Sequence, residues 1–311
     1  MPFRLTIAAK RVFLQIEPRF IRMRRTAIFA VASVLLAAGC KENVEKLAER
    51  HLKNAEEAFS TADYSLAKQE IDSIRILYPK AFETRRKGIV LMQEVEVAEQ
   101  LRTIEYEDSM IALARAAFER IREDYVFGKE EQYQDVGFYT IKSQDPIRNT
   151  DRNYIRGQVD ETGRMTLVSH YRGSSYIHHD QIRLNAGETY VETPESDERH
   201  EFTDLGICYE RLSFLNGNDG GASAFIKANR DKDITYTLYR KTGPDSRRAV
   251  SGSLRMSRED REAIARLYDL SQVLLSLDGH MKAREEADRH LRFIRSRIKE
   301  GSAQDAVQEN E

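Results

Sequence analysis

The chain is poor in the residues that would place it in several common classes of protein. Its 311 residues include no tryptophan, two cysteines, six prolines and sixteen glycines. These proportions exclude a collagen-like protein, a domain stabilised by several disulfides and a polytopic membrane protein. An apolar share of 41% is too high for a wholly disordered chain. We therefore expect one or two globular units.

Common catalytic motifs are also absent from the sequence. It contains no G-x-S-x-G, P-loop, G-x-G-x-x-G or H-E-x-x-H pattern. The sequence therefore predicts no catalytic residue, no metal site and no cofactor. It favours a protein that is not an enzyme, although these motifs do not cover every kind of catalysis.

Charge is distributed unevenly along the chain. Residues 1–39 contain seven basic side chains and one acidic side chain, whereas residues 40–311 contain 42 basic and 50 acidic ones, a net charge of −8. Because nothing after residue 39 supplies a global basic field, the composition argues against a nucleic-acid partner.

A short apolar segment near the N-terminus ends in a cysteine. Two arginines follow Met23, residues 27–38 are apolar except for one serine, and Gly39 and Cys40 come next. This apolar run is too short to span a bilayer. Its last part, Leu-Ala-Ala-Gly-Cys, resembles the lipobox of bacterial lipoproteins, with alanine at the position where the family prefers leucine.

The resemblance implies that residues 1–39 are a leader and signal peptide. Cleavage would make Cys40 the N-terminus, and its thiol would carry the lipid that attaches the protein to a membrane. Translation is predicted to start at Met23, because residues 1–22 form an unusually long basic leader. Lys41 follows the cysteine where aspartate would indicate inner-membrane retention. The resemblance therefore implies a cell-envelope protein of the outer membrane, on its periplasmic side or its surface.

Residues 40–135 have a helical pattern with few glycines. The stretch Val44–Tyr78 has small residues at Ala55 and Ala67 and is followed by Pro79, and it resembles one tetratricopeptide-type helix pair. No second copy follows at a period of 34 residues, so we expect a packing element rather than a peptide-binding array.

Two long helical patterns flank a glycine-rich region. The first runs from Ala81 to Phe127, and the second follows a capping box at 257–260 and continues to residue 300. Their matched lengths predict an antiparallel helical hairpin. Residues 301–311 lack periodicity and are predicted to be a disordered tail.

Residues 136–256 contain short alternating patterns separated by turn residues. They predict a small all-β domain, a barrel or a sandwich, inserted at the tip of the hairpin, and the whole chain is predicted to be α+β. The predicted strands are Val136–Lys142, Tyr154–Val159, Met165–Tyr171, Tyr176–Leu184, Thr189–Glu192, Cys208–Leu215, Ala224–Lys227 and Ile234–Tyr239.

Few side chains in this region suggest chemistry. His178 and His179, with His170 and His200 nearby in sequence, are the only cluster with metal-ligand character. Adjacent residues on a strand point to opposite faces, so His178 and His179 could not bind one ion from a regular strand. Cys208 lies in an apolar strand pattern and is predicted to be a buried structural residue.

Tyrosine is concentrated in the predicted β domain. Its abundance fits strand propensity, but tyrosine also makes interface contacts at low entropic cost, so it indicates a candidate binding face. The candidate residues of that face are Tyr171, Tyr176, Tyr190, Tyr209, Tyr236 and Tyr239.

These features predict a lipid-anchored envelope protein of structural or interaction type, in which a helical stalk presents a β module to an envelope partner. The predicted partners are a membrane, through Cys40, and an envelope protein or a glycan. Two alternatives stay open. One is a glycan-binding lipoprotein that uses its tyrosines, and the other is a periplasmic hydrolase or metal-dependent enzyme.

Overall fold

The computed structural model describes the backbone of residues 28–129, 132, 135–242 and 248–308, and the side chains in these ranges from 44 to 301. Met23 and the thiol of Cys40 lie outside these described residues. The chain divides into two compact units, one up to Val95 and the other from Glu96 onward. Among the described residues, no helix combines the length and the apolar character that a bilayer crossing requires.

Three helices build the core of the first unit. They are α1 (Ile28–Ser60), α2 (Tyr64–Leu77) and the beginning of α3 (Phe82–Ile121). Asp63 caps α2, because its carboxylate accepts a hydrogen bond from the Leu66 amide at 3.1 Å. Ala55 and Ala67 are fully buried, which fits the close helix approach that small residues allow.

The second unit holds the rest of α3, two antiparallel sheets, and the helices α4 (Ala222–Ala228) and α5 (Arg258–Gln308). The larger sheet has the strand order β1-β2-β3-β4-β8-β7, and the smaller sheet has the order β10-β9-β5-β6. The strands are β1 (Val126–Gly128), β2 (Phe138–Thr140), β3 (Tyr154–Asp160), β4 (Met165–Gly173), β5 (Gln181–Ala186), β6 (Thr189–Glu192), β7 (Glu198–Asp204), β8 (Ile207–Phe214), β9 (Thr235–Lys241) and β10 (Arg248–Arg255). The coarse prediction of an α+β protein is confirmed.

One face of each sheet contributes to a common core with α4 and the first turns of α5. Ile155, Leu212 and Phe214 come from the larger sheet, whereas Leu184 and Leu238 come from the smaller one. Gly157 on β3 permits the helix to approach closely, because a Cβ there would meet Leu267 of α5 at 3.1 Å. The opposite face of the larger sheet holds the buried Val168 together with polar, basic and aromatic side chains.

The first turn of α5 is fixed by the predicted capping box. The Asp260 amide donates to the Ser257 hydroxyl at 3.0 Å, as the pattern at 257–260 indicates. The Asp260 side chain is 2% exposed. Its carboxylate accepts hydrogen bonds from both terminal nitrogens of Arg152, at 2.6 and 2.7 Å. The Gln144 side chain donates a hydrogen bond to the Ile155 carbonyl and accepts one from the Gly157 amide. These two bonds hold β3 in place.

Within the second unit, polar and charged side-chain pairs connect α3 and the residues after it with α5. Glu107 pairs with His280 at 2.7 Å, and Asp108 pairs with Arg284 at 2.7 Å. After the end of α3, Asp124 pairs with Arg266 at 2.8 Å. These three pairs connect residues 107–124 of the first segment with residues 266–284 of α5.

Several predicted boundaries differ from the structure. Residues Ala224–Lys227 are helical in α4, so the predicted strand there is wrong. Gly220 and Gly221 adopt positive φ, and the Asp219 carboxylate accepts from the Gly221 and Ser223 amides, which starts a helix. β1, β7 and β10 were not predicted. α3 ends at Ile121 rather than near Phe127, and α5 continues to Gln308, beyond residue 300.

The Asp260 carboxylate generates a stability prediction. Replacing it with asparagine (D260N) leaves the Arg152 guanidinium without its anionic partner, and we expect a loss of about 3 kcal/mol in the free energy of unfolding. Urea denaturation measures this loss. The matched control is D233N, because Asp233 makes an exposed pair with Arg255 and its replacement should change stability little. Equal effects of D260N and D233N would contradict the prediction.

Candidate functional site

A row of side chains crosses four strands of the larger sheet on the face away from the core. Tyr154 on β3 is paired directly with His170 on β4, His170 with Arg211 on β8, and Arg211 with His200 on β7. Directly paired residues of antiparallel strands lie on the same face. Arg156 and Arg172 lie on this face as well, because they are two residues away from Tyr154 and His170 along their strands. We call Arg156, His170, Arg172, His200 and Arg211 the basic surface.

His170 lies at the centre of the basic surface. Its ring stacks on Tyr154 at 4.7 Å between centroids and 7° between planes. The Nε of Arg156 donates to the Nε2 of His170 at 3.0 Å, and Nη1 of the same arginine donates to Gln158 at 3.0 Å. Because Nε2 accepts this bond, the neutral imidazole carries its hydrogen on Nδ1.

The electrostatic environment keeps His170 neutral. Burial, together with the positive charges of Arg156 and Arg211, lowers the pKa of His170 to about 3. Burial also lowers the pKa of Arg156, and the charge of Arg211 adds to that effect. Positive charge is thus concentrated at a partly desolvated place, where protonation of His170 would cost further free energy.

The arginines of the basic surface differ from other arginines of the described chain in their acidic partners. Among the described residues, no carboxylate forms an ion pair with Arg156, Arg172 or Arg211. The Nε atoms of Arg172 and Arg183 are both buried without a hydrogen-bond partner among the described residues, so the two sites differ in their ion pairs and not in this respect. Arg152 and Arg183, by contrast, pair with Asp260 and Glu192. Guanidinium groups collected without carboxylates favour the binding of an anion, because charge-assisted hydrogen bonds to it would replace the missing pairs.

A cavity of about 360 Å³ opens beside Arg211 and gives access to the basic surface. Its lining consists of Glu198, Arg199, His200, Arg211 and Ser213. Glu198 is the single carboxylate in that lining, and the carboxylate of Glu201 on the same strand holds Arg199 at 3.3 Å. Arg211 and His200 are therefore the parts of the basic surface that a solute reaches from this cavity.

The six candidate tyrosines do not form one face. Tyr236 is buried in the core, where burial raises its pKa, so it cannot contact a ligand at the surface. Tyr209 lies on the same face as the basic surface and stacks on Phe202. Tyr190 and Tyr239 lie on the smaller sheet, on its face away from the core.

The two remaining tyrosines surround the segment that precedes β5. Tyr171 donates to the Ser175 carbonyl at 3.3 Å, and the hydroxyl of Tyr176 contacts that of Thr203 at 2.7 Å. The predicted strand Tyr176–Leu184 begins only at Gln181 in the structure. These hydroxyls therefore hold a loop together, and this interaction accounts for both side chains.

The adjacent histidines in that loop bind separate carboxylates. His178 adopts a φ of +53° and contacts Glu201 at 3.1 Å, whereas the buried His179 contacts Glu210 at 2.6 Å. Donor atoms of His178, Glu201 and Glu210 lie within 4.8 Å of one another, a spacing that a metal ion could bridge.

Glu210 nevertheless fits a structural role better than a metal ligand. Its carboxylate accepts four hydrogen bonds, from the amides of residues 177, 178 and 179 and from the His179 ring. These bonds use all its lone pairs and lower its pKa despite burial. We therefore interpret this cluster as the support of the loop before β5. Cys208 is buried, with its sulfur 3.8 Å from the Thr203 hydroxyl.

No family model, curated protein or solved structure matches this chain. The candidate site therefore depends on the residues of the chain itself. The sequence indicates His170 and His200 as members of a histidine cluster, and it does not indicate Arg156, Arg172 or Arg211 as site residues. No predicted strand contains two of these basic residues, so the signal lies in the pairing of the strands and not in any one of them.

The depressed pKa of His170 generates a pH prediction. As pH falls below 6.5, the unfolded chain takes up a proton at this histidine while the folded protein does not, so stability decreases until the folded ring is protonated near pH 3. The slope for this group approaches about 1.4 kcal/mol per pH unit. Replacing the imidazole with an amide (H170Q) should remove that part of the slope, measured by urea denaturation from about pH 6.5 to 5.

The control for this prediction is H200Q, which changes an exposed histidine in the same row. Above about pH 5 most carboxylates in proteins are already ionised, so their titration contributes little to the comparison. An unchanged slope in H170Q, or an equal change in both variants, would show that His170 is not the group responsible.

Proposed function

We propose that this protein is a lipid-anchored cell-envelope protein of interaction type, and that its β domain binds an anionic group of an envelope component through the basic surface. The observation that carries the anion-binding part is the set of three arginines, Arg156, Arg172 and Arg211, without carboxylate partners among the described residues. Such arginines form charge-assisted hydrogen bonds when an oxyanion binds, so the bound state is more stable than the unbound state.

The ligand class follows from the donors. Guanidinium groups present paired N–H donors that match phosphate and carboxylate oxygens. His170 is neutral, so it adds no further positive charge beside Arg156. A neutral sugar would leave these charges unpaired. An acidic glycan or another phosphate-bearing or carboxylate-bearing envelope polymer therefore fits better than a neutral glycan bound by tyrosines, because the six tyrosines lie on different surfaces.

The rest of the proposal concerns how this domain is presented. α3 and α5 would be the two arms of an antiparallel helical hairpin, with the β domain inserted between them at residues 136–256. The pairs Glu107–His280 and Asp124–Arg266 support this arrangement, because the later residue of the first segment meets the earlier residue of α5. The lipid on Cys40 would attach the chain to a membrane, as the lipobox resemblance implies, and the outer membrane is the proposed location.

Anion binding is tested with inorganic phosphate. Phosphate at about 100 times its dissociation constant should raise the free energy of unfolding by about 2.7 kcal/mol. Replacing the exposed Arg211 with glutamine (R211Q) should weaken binding by at least about tenfold, because charge-assisted hydrogen bonds are lost. Thermal denaturation and titration calorimetry measure both effects.

The matched control variant is R183Q. It removes the same charge from the other sheet, where Arg183 stacks on Tyr190 and pairs with Glu192. Phosphate affinity should be unchanged in R183Q. Equal weakening in R183Q and R211Q would indicate a general effect of net charge, and the absence of phosphate binding by the wild type would contradict the anion site.

Lipid attachment generates a separate prediction. The C40S variant lacks the thiol to which a lipid could be joined, so it should lose the mass of the acyl groups and fail to incorporate a labelled fatty acid. The control is C208S, which changes the buried cysteine and should stay labelled. Intact mass spectrometry and metabolic labelling read both outcomes. Unlabelled wild-type protein would contradict the anchor but leave the anion site untouched.

A further inference from the structure

The corner between α2 and α3 exposes large apolar side chains. Ile76 and Leu77 at the end of α2 are 67% and 59% exposed, and Phe82 and Ile89 at the beginning of α3 are 66% and 59% exposed. Isolated apolar residues are common on protein surfaces, but four strongly exposed ones within residues 76–89 make this corner a candidate interaction site.

The beginning of α3 has two different faces. Thr84, Leu91 and Val95 recur at helical spacing with Gly88 and are buried in the first unit. Phe82 and Ile89 lie on the opposite side of the same turns. The core of this unit therefore does not cover them, and their exposed apolar area remains available to a partner.

Basic residues are frequent in the sequence around this apolar group. Between positions 75 and 90 the chain has five basic residues and one acidic residue. Lys80 and Lys87 are exposed, and Arg85 holds the Pro79 carbonyl at 2.9 Å. The mixture of exposed aliphatic and aromatic side chains with lysine and arginine is typical of helices that lie at the interface of an anionic bilayer.

The corner lies close to the start of the mature chain that the lipobox predicts. Thr84 in α3 donates to the carboxylate of Glu45 in α1 at 2.7 Å. Cys40 precedes Glu45 by five residues, which span at most about 17 Å even when fully extended. A lipid on Cys40 would therefore hold a bilayer within reach of this corner.

We propose that the corner formed by Ile76, Leu77, Lys80, Phe82, Lys87 and Ile89 is a second membrane contact, which inserts its apolar side chains among acyl chains and places its lysines at anionic head groups. The proximity argument rests on the proposed lipid anchor, whereas the apolar and basic composition does not. A bilayer is the partner that both features fit. The second contact would restrict the orientation of the first unit on the membrane.

The absence of tryptophan from the chain permits a direct test. The variant F82W introduces a single indole at the corner, and L66W introduces one at the other end of α2, where Leu66 is also exposed. Each full-length variant is reconstituted into vesicles of phosphatidylglycerol and phosphatidylcholine whose acyl chains carry bromine. Bromine quenches an indole only at short range. We expect a blue-shifted, quenched indole in F82W and an unquenched indole in L66W.

Charge is tested in the same system. The double variant K80E/K87E in the F82W background should reduce quenching in phosphatidylglycerol vesicles and have little effect in vesicles of phosphatidylcholine alone. Far-UV circular dichroism and thermal denaturation verify that the variants are folded. A merely structural change would alter these measurements, whereas loss of membrane contact would alter only the quenching.

The outcomes separate this proposal from the proposed anchor. Intact mass of each preparation reports first whether Cys40 carries a lipid. Quenching of F82W in vesicles that bind unlipidated protein would support the corner even if the anchor is wrong. An unquenched F82W indole in vesicle-bound, lipidated protein would overturn the corner while leaving the anchor in place, and it would assign the exposed apolar group to a protein partner. Equal quenching of F82W and L66W would also overturn it.

Discussion

The bidentate pair between Arg152 and Asp260 is the interaction on which the second unit depends. It joins the segment before β3 to the first turn of α5, and the buried carboxylate also belongs to the capping box with Ser257. A carboxylate with almost no solvent contact is stable only when its charge and lone pairs are satisfied. The helix therefore starts at this place and at this angle, with Leu267 against Gly157.

The same arginine connects the helix to the basic surface. Its guanidinium lies 4.6 Å from the centre of the Tyr154 ring, and that ring stacks on His170, which accepts from Arg156. Stacking fixes the plane of the imidazole, and the bond from Arg156 fixes its tautomer. Holding several positive charges close together costs free energy. Burial of the other face stabilises the sheet, so the sheet keeps its geometry despite this cost.

The predictability of these features depends on how local they are. The capping box and the alternation of β3, β4 and β8 can be recognised within a few residues. β7 and β10 lie at sheet edges. Their charged residues and glycine interrupt the apolar alternation that would predict a strand. The basic surface was not predicted, because it arises from the pairing of β4 with β8, and no local pattern shows which strands that lie far apart in sequence will pair. Ala224–Lys227 has residues typical of a strand, but the Asp219 carboxylate begins a helix there.

The physical reach of the basic surface is short. Residues 40–311 carry a net charge of −8, so the distant field of the chain repels anions rather than attracting them. Salt screens charges beyond about 8 Å under physiological conditions. Arg211 can therefore attract an anion only near contact, where partial desolvation strengthens each hydrogen bond. Such a surface would select among anions by how well they fit and not by how fast they arrive. Attachment to a membrane would provide the high local concentration of envelope ligand that long-range attraction does not.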